Sequence, residues 1–254
     1  MGSLHQLLPR ETLRGMRLLT AQQLVDERRS RLREELLSTG VEACDDMLGG
    51  GLRRGEMVEI VGGRSSGRFA LVQSALAAVT ERGEPAALID LGDGFDPQSG
   101  EAAGIDLERL LWARPRKIKE AFASAEAILT LGMPLVVIDL GMPPLPGGRG
   151  AEAAWLRLAR AAREKRTALV VASPYRASGT AVRTVLELKR SWGTVLRNEY
   201  QRPVLLKDLK TEIRVGKARG QQDQEDKKME RAVWQNPEMP IPTNIPEVSL
   251  QATA

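Results

Sequence analysis

Along the 254 residues the first clear pattern runs from Leu18 to Leu37, where Leu24, Val25, Leu32, Leu36 and Leu37 recur among charged residues. That spacing predicts an amphipathic helix with a charged face. From Thr39 onward the pattern changes, and short apolar runs alternate with longer segments of helical period. The runs EMVEIV (Glu56 to Val61), AALID (Ala86 to Asp90), RLLWAR (Arg109 to Arg114), PLVVIDL (Pro134 to Leu140) and TALVVAS (Thr167 to Ser173) read as strands. Helical period marks the segment from Phe69 through Val79, closed by Gly83, then Lys117 to Thr130 and Ala151 to Lys165. Three later runs, TVLELKRS, VLLKDLK and TEIRVGK, predict a closing antiparallel section. Strand and helix in alternation predict an α/β fold: a mainly parallel sheet flanked by helices. Pro237, Pro240, Pro242 and Pro246 predict an extended or disordered C-terminal tail. The expected organisation is therefore an N-terminal helical extension over 1–36, a core over 37–220, and a linker and interaction tail over 221–254.

Between the first core strand and its helix lies IVGGRSSGRF, which fits the phosphate-loop template G-x-x-x-x-G-K-[ST] in frame but not in chemistry. Gly62, Gly63 and Gly67 keep the turn that aims backbone N–H groups and a helix N-terminus at an anion. Arg68 stands where the template has lysine, and Phe69 where it has the hydroxyl that ligates Mg²⁺. A planar guanidinium does not replace a compact ammonium in a tight loop, and a phenyl ring ligates nothing and points its bulk at the metal position. Asp139 ends an apolar strand where nucleoside triphosphatases hold the acid near Mg²⁺. These substitutions predict weak or absent ATP binding, no catalytic residue, no metal site and a pseudo-ATPase.

Composition narrows the partners. A hydrophobic fraction of 42% supports a real core, and the absence of a long apolar run or signal peptide predicts a cytoplasmic protein. One cysteine, Cys44, and one histidine, His5, exclude an internal disulfide and a histidine or cysteine metal centre. Between Gly141 and Gly220 there are 17 Lys and Arg against 6 Asp and Glu, whereas the last 34 residues hold 3 against 6. Such a basic half suits DNA or an acidic protein, with Arg149, Arg176 and Arg183 as candidate phosphate contacts, or it is the solvated face of a helix. The tail gathers Trp234 and Ile241 among its prolines, a composition that fits an anchor ordering on a partner.

Several segments together resemble the RecA recombinase core. STGVEACDDMLGGGLRRGEMVEIVGGRSSGRF is similar to that family's approach to its phosphate loop, and LIDLGDGFDPQSGEAAGIDLERLLWARP resembles the section that follows. The resemblance implies a RecA-like core from about Leu37 to Ser173, and more loosely to Gly220. It places the family's water-activating glutamate at Gly92, with Asp93 one position late. The adenine-stacking aromatic falls at Ser99, and the polar sensor at Ser173 or Pro174. The first DNA loop shortens to GMPPLPGGRG and the second to PYRASG. This combination is similar to the ImuA family, RecA-like accessory subunits of bacterial translesion mutagenesis complexes. That likeness implies a non-catalytic protein of the DNA-damage (SOS) response. Its implied partners are a polymerase-like ImuB protein, an error-prone replicative-type polymerase and RecA itself, and its implied packing contacts include Leu24 and Leu32. The competing readings are a divergent ATPase or DNA-binding protein of the RecA superfamily, and a SulA-like inhibitor of cell division.

Overall fold

The structure is a computed structural model and describes residues 20–23, 34–141, 151–191, 195–197, 203–206, 210–217 and 231–235. The chain divides into two compact units, residues 1–36 and residues 37–254. In the first, Thr20 and Gln23 close a reciprocal capping box: Gln23 N–H donates to Thr20 Oγ1 (3.1 Å) and Thr20 N–H to Gln23 Oε1 (2.9 Å). Leu24 and Leu32 lie outside the described residues.

Leu36 and Leu37, expected at the end of the N-terminal helix, are instead strand β1 (Leu36–Leu37), which forms a small two-stranded sheet with β2 (Leu52–Arg53), helix α1 (Glu42–Met47) lying between them in sequence. Its sequence STG is a device for closing that turn. Asp45 accepts from Ser38 Oγ (2.6 Å), Thr39 N–H (2.8 Å) and Thr39 Oγ1 (2.7 Å). Then come β3 (Met57–Val61), α2 (Arg68–Glu81), β4 (Ala86–Asp90), α3 (Pro97–Ala102), β5 (Leu110–Ala113), α4 (Ile118–Thr130), β6 (Leu135–Asp139), α5 (Ala151–Lys165) and β7 (Ala168–Ser173). The chain closes through β8 (Thr184–Ser191), a hairpin of β9 (Val195–Arg197) and β10 (Pro203–Leu206), β11 (Lys210–Lys217) and β12 (Arg231–Gln235).

The main sheet has the order β12-β11-β8-β3-β7-β6-β4-β5. From β8 to β5 every pairing is parallel, and β11 and β12 add an antiparallel edge. The central strands are buried on both faces, and their alternation sorts side chains into two cores. Val58, Leu88, Val137, Val170 and Leu186 pack under α2, while Met57, Ile89, Val136, Leu169 and Val171 pack under α4 and α5. In the second core Trp155 meets Phe122 edge to face at 4.6 Å.

Two expectations change at the C-terminal edge. TVLELKRS is not purely part of an antiparallel closing section. It forms β8, which runs parallel to β3 (Val58 opposite Thr184, Ile60 opposite Leu186) and antiparallel to β11. The stretch over 221–254, expected to be a linker and an extended or disordered tail, contributes β12, whose backbone at Trp234 pairs with Thr211 of β11. The physical reason is the exposed edge: β11 alone would leave a row of unpaired N–H and C=O groups, and the added strand satisfies them. Among the described residues no helix is long and apolar enough to cross a membrane.

Candidate functional site

Strand β3 delivers the chain into the loop 62–67 and α2 carries it away, and within the loop Gly62 N–H donates to Ser173 O (3.0 Å) and Ser66 N–H to Gly63 O (3.4 Å). Gly62 is packed tightly: a Cβ there would lie 2.3 Å from Ser66 Oγ and 3.0 Å from Leu188 O. Gly67 precedes α2 at φ +86°, a conformation that side chains disfavour, and a Cβ there would meet Thr211 Oγ1 at 2.4 Å. That hydroxyl donates to Ser66 O (3.0 Å), so the antiparallel edge strand leans directly on the loop. Gly63 stays exposed at the tip.

Arg68 turns inward. Only 7% of it is exposed, its Nη1 donates to Gly62 O at 2.6 Å, and its Nη2 lies 3.4 Å from Gly141 O. The same Nη2 is 3.7 Å from Asp139 Oδ1. Asp139 is buried at the end of β6 and also accepts from Gly141 N–H (3.2 Å). Burial pushes the Asp139 carboxyl above the ordinary carboxylate range, against the opposing pull of Arg68 and the Gly141 N–H. Burial likewise lowers the Arg68 guanidinium, and Asp139 opposes that shift. The acid that would face Mg²⁺ therefore faces an internal cation, and the loop's first carbonyl holds the same cation.

Phe69 does something other than expected. It is half buried and packs against the apolar cluster under α2, so its ring belongs to the core and the Arg68 guanidinium takes the polar space. The reason is position: residue 69 begins the apolar stripe of α2 that continues through Leu71, Val72 and Leu76.

At Gly92 the backbone itself fills the place of a side chain. A Cβ there would lie 2.5 Å from Gly141 Cα, and one on Gly141 would lie 2.3 Å from Gly92 Cα. Asp93, at φ +50°, is drawn outward by Arg114, which lies 2.7 Å away and also covers the Trp112 ring at 4.7 Å. Ser99 lies in the first turn of α3, where its N–H donates to the N-cap Asp96 Oδ2 (2.9 Å), and Pro97 begins the helix directly after that cap. Ser173 is buried, its Oγ bonded to Tyr175 O and its carbonyl accepting from Gly62 N–H (3.0 Å). The residues at the template's working positions are thus engaged within the protein: Arg68 with Gly62 and Asp139, Phe69 with the core, Asp93 with Arg114 and Ser99 with Asp96.

Arg176 is paired with Glu187 at 2.8 Å. Arg183 is exposed at the other end of this stretch, ahead of β8, and Arg149 lies outside the described residues. Trp234 is described only in its backbone, and Ile241 lies outside the described residues. Two residues missed in the sequence organise the site. Thr211 gives no signal of its role, but Glu59 does, as a lone carboxylate within the apolar run of β3. It is 1% exposed and accepts from Ala177 N–H (2.5 Å) and Ser178 N–H (3.1 Å), fastening the shortened loop after β7. Burial raises its carboxyl above the ordinary range, and those two N–H groups pull the other way.

The sequence pattern of the RecA N-terminal domain matches residues 20–145. The core is RecA-like. RecA from Synechococcus sp. strain CC9902 is 38% identical over 111 residues, and RecA from Prochlorococcus marinus strain MIT 9211 is 37% identical over the same length. Those matches cover 43% of this chain and 30% of each relative, so the chain spans under a third of the RecA proteins that it resembles. The RadB recombinase structure superposes with a TM-score of 0.58 over 78% of this chain and 94% of that one. At 18% identity the likeness to RadB concerns the RecA-like fold alone.

Proposed function

We propose that this RecA-like protein is a non-catalytic accessory subunit that works through its surfaces. The observation that carries the reading is Arg68 seated in its own phosphate loop, bonded to Gly62 O and facing Asp139. Phosphoryl transfer depends on charges aimed at the phosphates and on a positioned water, and here the lysine, the Mg²⁺ hydroxyl and the water-activating carboxylate are all replaced. ATP binding is weak or absent.

The finer assignment rests on the resemblance of the chain to the ImuA family. In that reading the protein acts in damage-induced translesion mutagenesis, binds an ImuB-like polymerase relative, and modulates RecA filaments and polymerase access in the cytoplasm. Leu24 and Leu32 before the core, and Trp234 and Ile241 after it, are its proposed partner contacts.

The test has two arms. The purified full chain should hydrolyse ATP no faster than a buffer control, and turnover abolished by Arg68→Ala would refute the non-catalytic reading. Captured from bacteria after DNA damage, the tagged chain should bring down a polymerase-like protein. Recovery of cell-division proteins instead would favour the SulA-like alternative.

A further inference from the structure

A second site lies at the N-terminal ends of β3 and β8, remote from the phosphate loop at their C-terminal ends. There the β2–β3 turn rests on the last turns of α5, with Gly55 in contact with the Arg163 backbone (3.5 Å from a Cβ position to Arg163 O). Between them is a groove of about 390 Å³. Its lining includes Met57 and Leu156 with Arg53, Arg160, Arg163 and Arg183, and one carboxylate, Glu56. Leu156, Arg160 and Arg163 stand one helical turn apart in succession, so α5 presents a single stripe to the groove.

The charges there are unbalanced. Arg54 is tied to Glu84, and Arg53 approaches Glu56 at 3.7 Å. Arg160, Arg163 and Arg183 are exposed and face no carboxylate within ion-pair distance among the described residues. Leu156, in the same lining, is 39% exposed. An exposed large apolar side chain beside three uncompensated guanidinium groups is the arrangement of a recognition surface.

We propose that this groove docks an acidic peptide segment of a partner protein, with an apolar side chain seated on Leu156 and Met57 and carboxylates paired with Arg160, Arg163 and Arg183. Peptide is favoured over nucleic acid by two features: the apolar side chains of Met57 and Leu156 line the groove beside the arginines, and its volume suits a few side chains rather than a continuous phosphate backbone. The inference is independent of the nucleotide site and of the accessory role proposed above.

Short random peptides displayed on phage, panned against the full chain, provide the test. Wild-type protein should enrich sequences with two or more acidic residues beside a Leu, Ile, Phe or Met. Binding of the enriched peptide should weaken roughly tenfold or more in a triple variant with Ser at 160, 163 and 183, and several-fold in Leu156→Ser. Both variants alter exposed residues and should keep the wild-type melting temperature; if the triple variant melts early, the single changes Arg160→Ser and Arg183→Ser supply the comparison. An oligothymidine strand should bind no more weakly to the Leu156→Ser protein than to wild type. Enrichment of neutral or basic peptides, no enrichment at all, or undiminished binding by the triple variant overturns the proposal. So does competition in which oligothymidine displaces the enriched peptide through the same arginines with comparable affinity, which assigns the groove to nucleic acid.

Discussion

Breaking the pair inside the phosphate loop should expose how much of the fold rests on it. Arg68 Nη2 and Asp139 Oδ1 are 3.7 Å apart and almost fully buried. At that separation an effective dielectric of about 20 gives an attraction of roughly 4 kcal/mol, most of it spent on desolvating both ions. Arg68→Met keeps the length of the side chain but leaves a buried carboxylate with one N–H partner, and should cost about 3 kcal/mol. Asp139→Asn leaves the guanidinium with the Gly62 and Gly141 carbonyls, and should cost about 2 kcal/mol. If the two groups compensate each other, the double variant should cost clearly less than the sum, with a coupling of about 2 kcal/mol. Urea unfolding at constant m-value reads all three changes. The sign of the pH dependence is fixed by Asp139. Its carboxyl is raised in the folded state, so the burden of its charge is absent below the unfolded value and appears as pH climbs through the folded one. Without Arg68 that burden grows, so the Arg68→Met penalty should be smaller near about pH 5 than near about pH 8. A penalty under about 0.5 kcal/mol with additive energies, or one that grows on acidification, refutes the idea that the pair holds the loop.

Other outcomes follow from single contacts. Gly92→Ala should lower the unfolding midpoint by the equivalent of about 2 kcal/mol, because its Cβ would lie 2.5 Å from the Gly141 backbone; a wild-type midpoint would contradict that contact. Glu59→Gln keeps an acceptor for Ala177 and Ser178 N–H while removing a buried charge, so at neutral pH it should equal or exceed wild type in stability. Glu59→Ala should lose about 2 kcal/mol or more, and similar losses in both variants would mean that the carboxylate charge itself is required. Truncation after Arg219 removes β12 and bares the β11 edge, so the unfolding midpoint should fall and the protein should associate at high concentration, as light scattering would reveal. An unchanged midpoint and monomeric behaviour would show that the strand adds little.

Much of the core was legible because strand burial and hydrophobic runs express the same constraint. PLVVIDL and TALVVAS are apolar throughout because β6 and β7 sit in the sheet's centre with both faces covered. The alternation of strand and helix then leaves little choice beyond a parallel sheet. The edge was less legible, since TVLELKRS has no local feature that distinguishes a strand parallel to one neighbour from one antiparallel to the other. β8 is both. β12 was hidden for a related reason: its pairing is set by the open edge of a distant strand, and nearby prolines signal extended chain of any kind. At the site, the loss of lysine and hydroxyl was visible letter by letter. That Phe69 would serve the core while Arg68 turned inward depends on which side of α2 faces the sheet, and a short loop pattern does not carry that information.

The departures from a working phosphate loop are not independent losses. Gly92 lets the backbone at Gly141 approach until a Cβ on either residue would overlap the other, and Gly141 O is thereby brought within 3.4 Å of Arg68. A glutamate at 92 would push that carbonyl away and at the same time add a carboxylate beside Asp139, which already lies within the electrostatic reach of Asp90. A lysine at 68 has one ammonium where the guanidinium has a fork, and could not reach Gly62 O, Gly141 O and Asp139 with separate N–H groups. The arginine at 68 and the glycine at 92 thus share the Gly141 backbone and depend on the same close approach. It follows that reverting a single position should destabilise the loop before it restores any nucleotide chemistry. Arg68→Lys should be less stable than wild type and should not hydrolyse ATP. Paired with Phe69→Thr it should regain some nucleotide binding but no turnover, because residue 92 still provides no base. Hydrolysis by the Arg68→Lys protein alone, at unchanged stability, would show instead that the loop is a working site with one side chain exchanged.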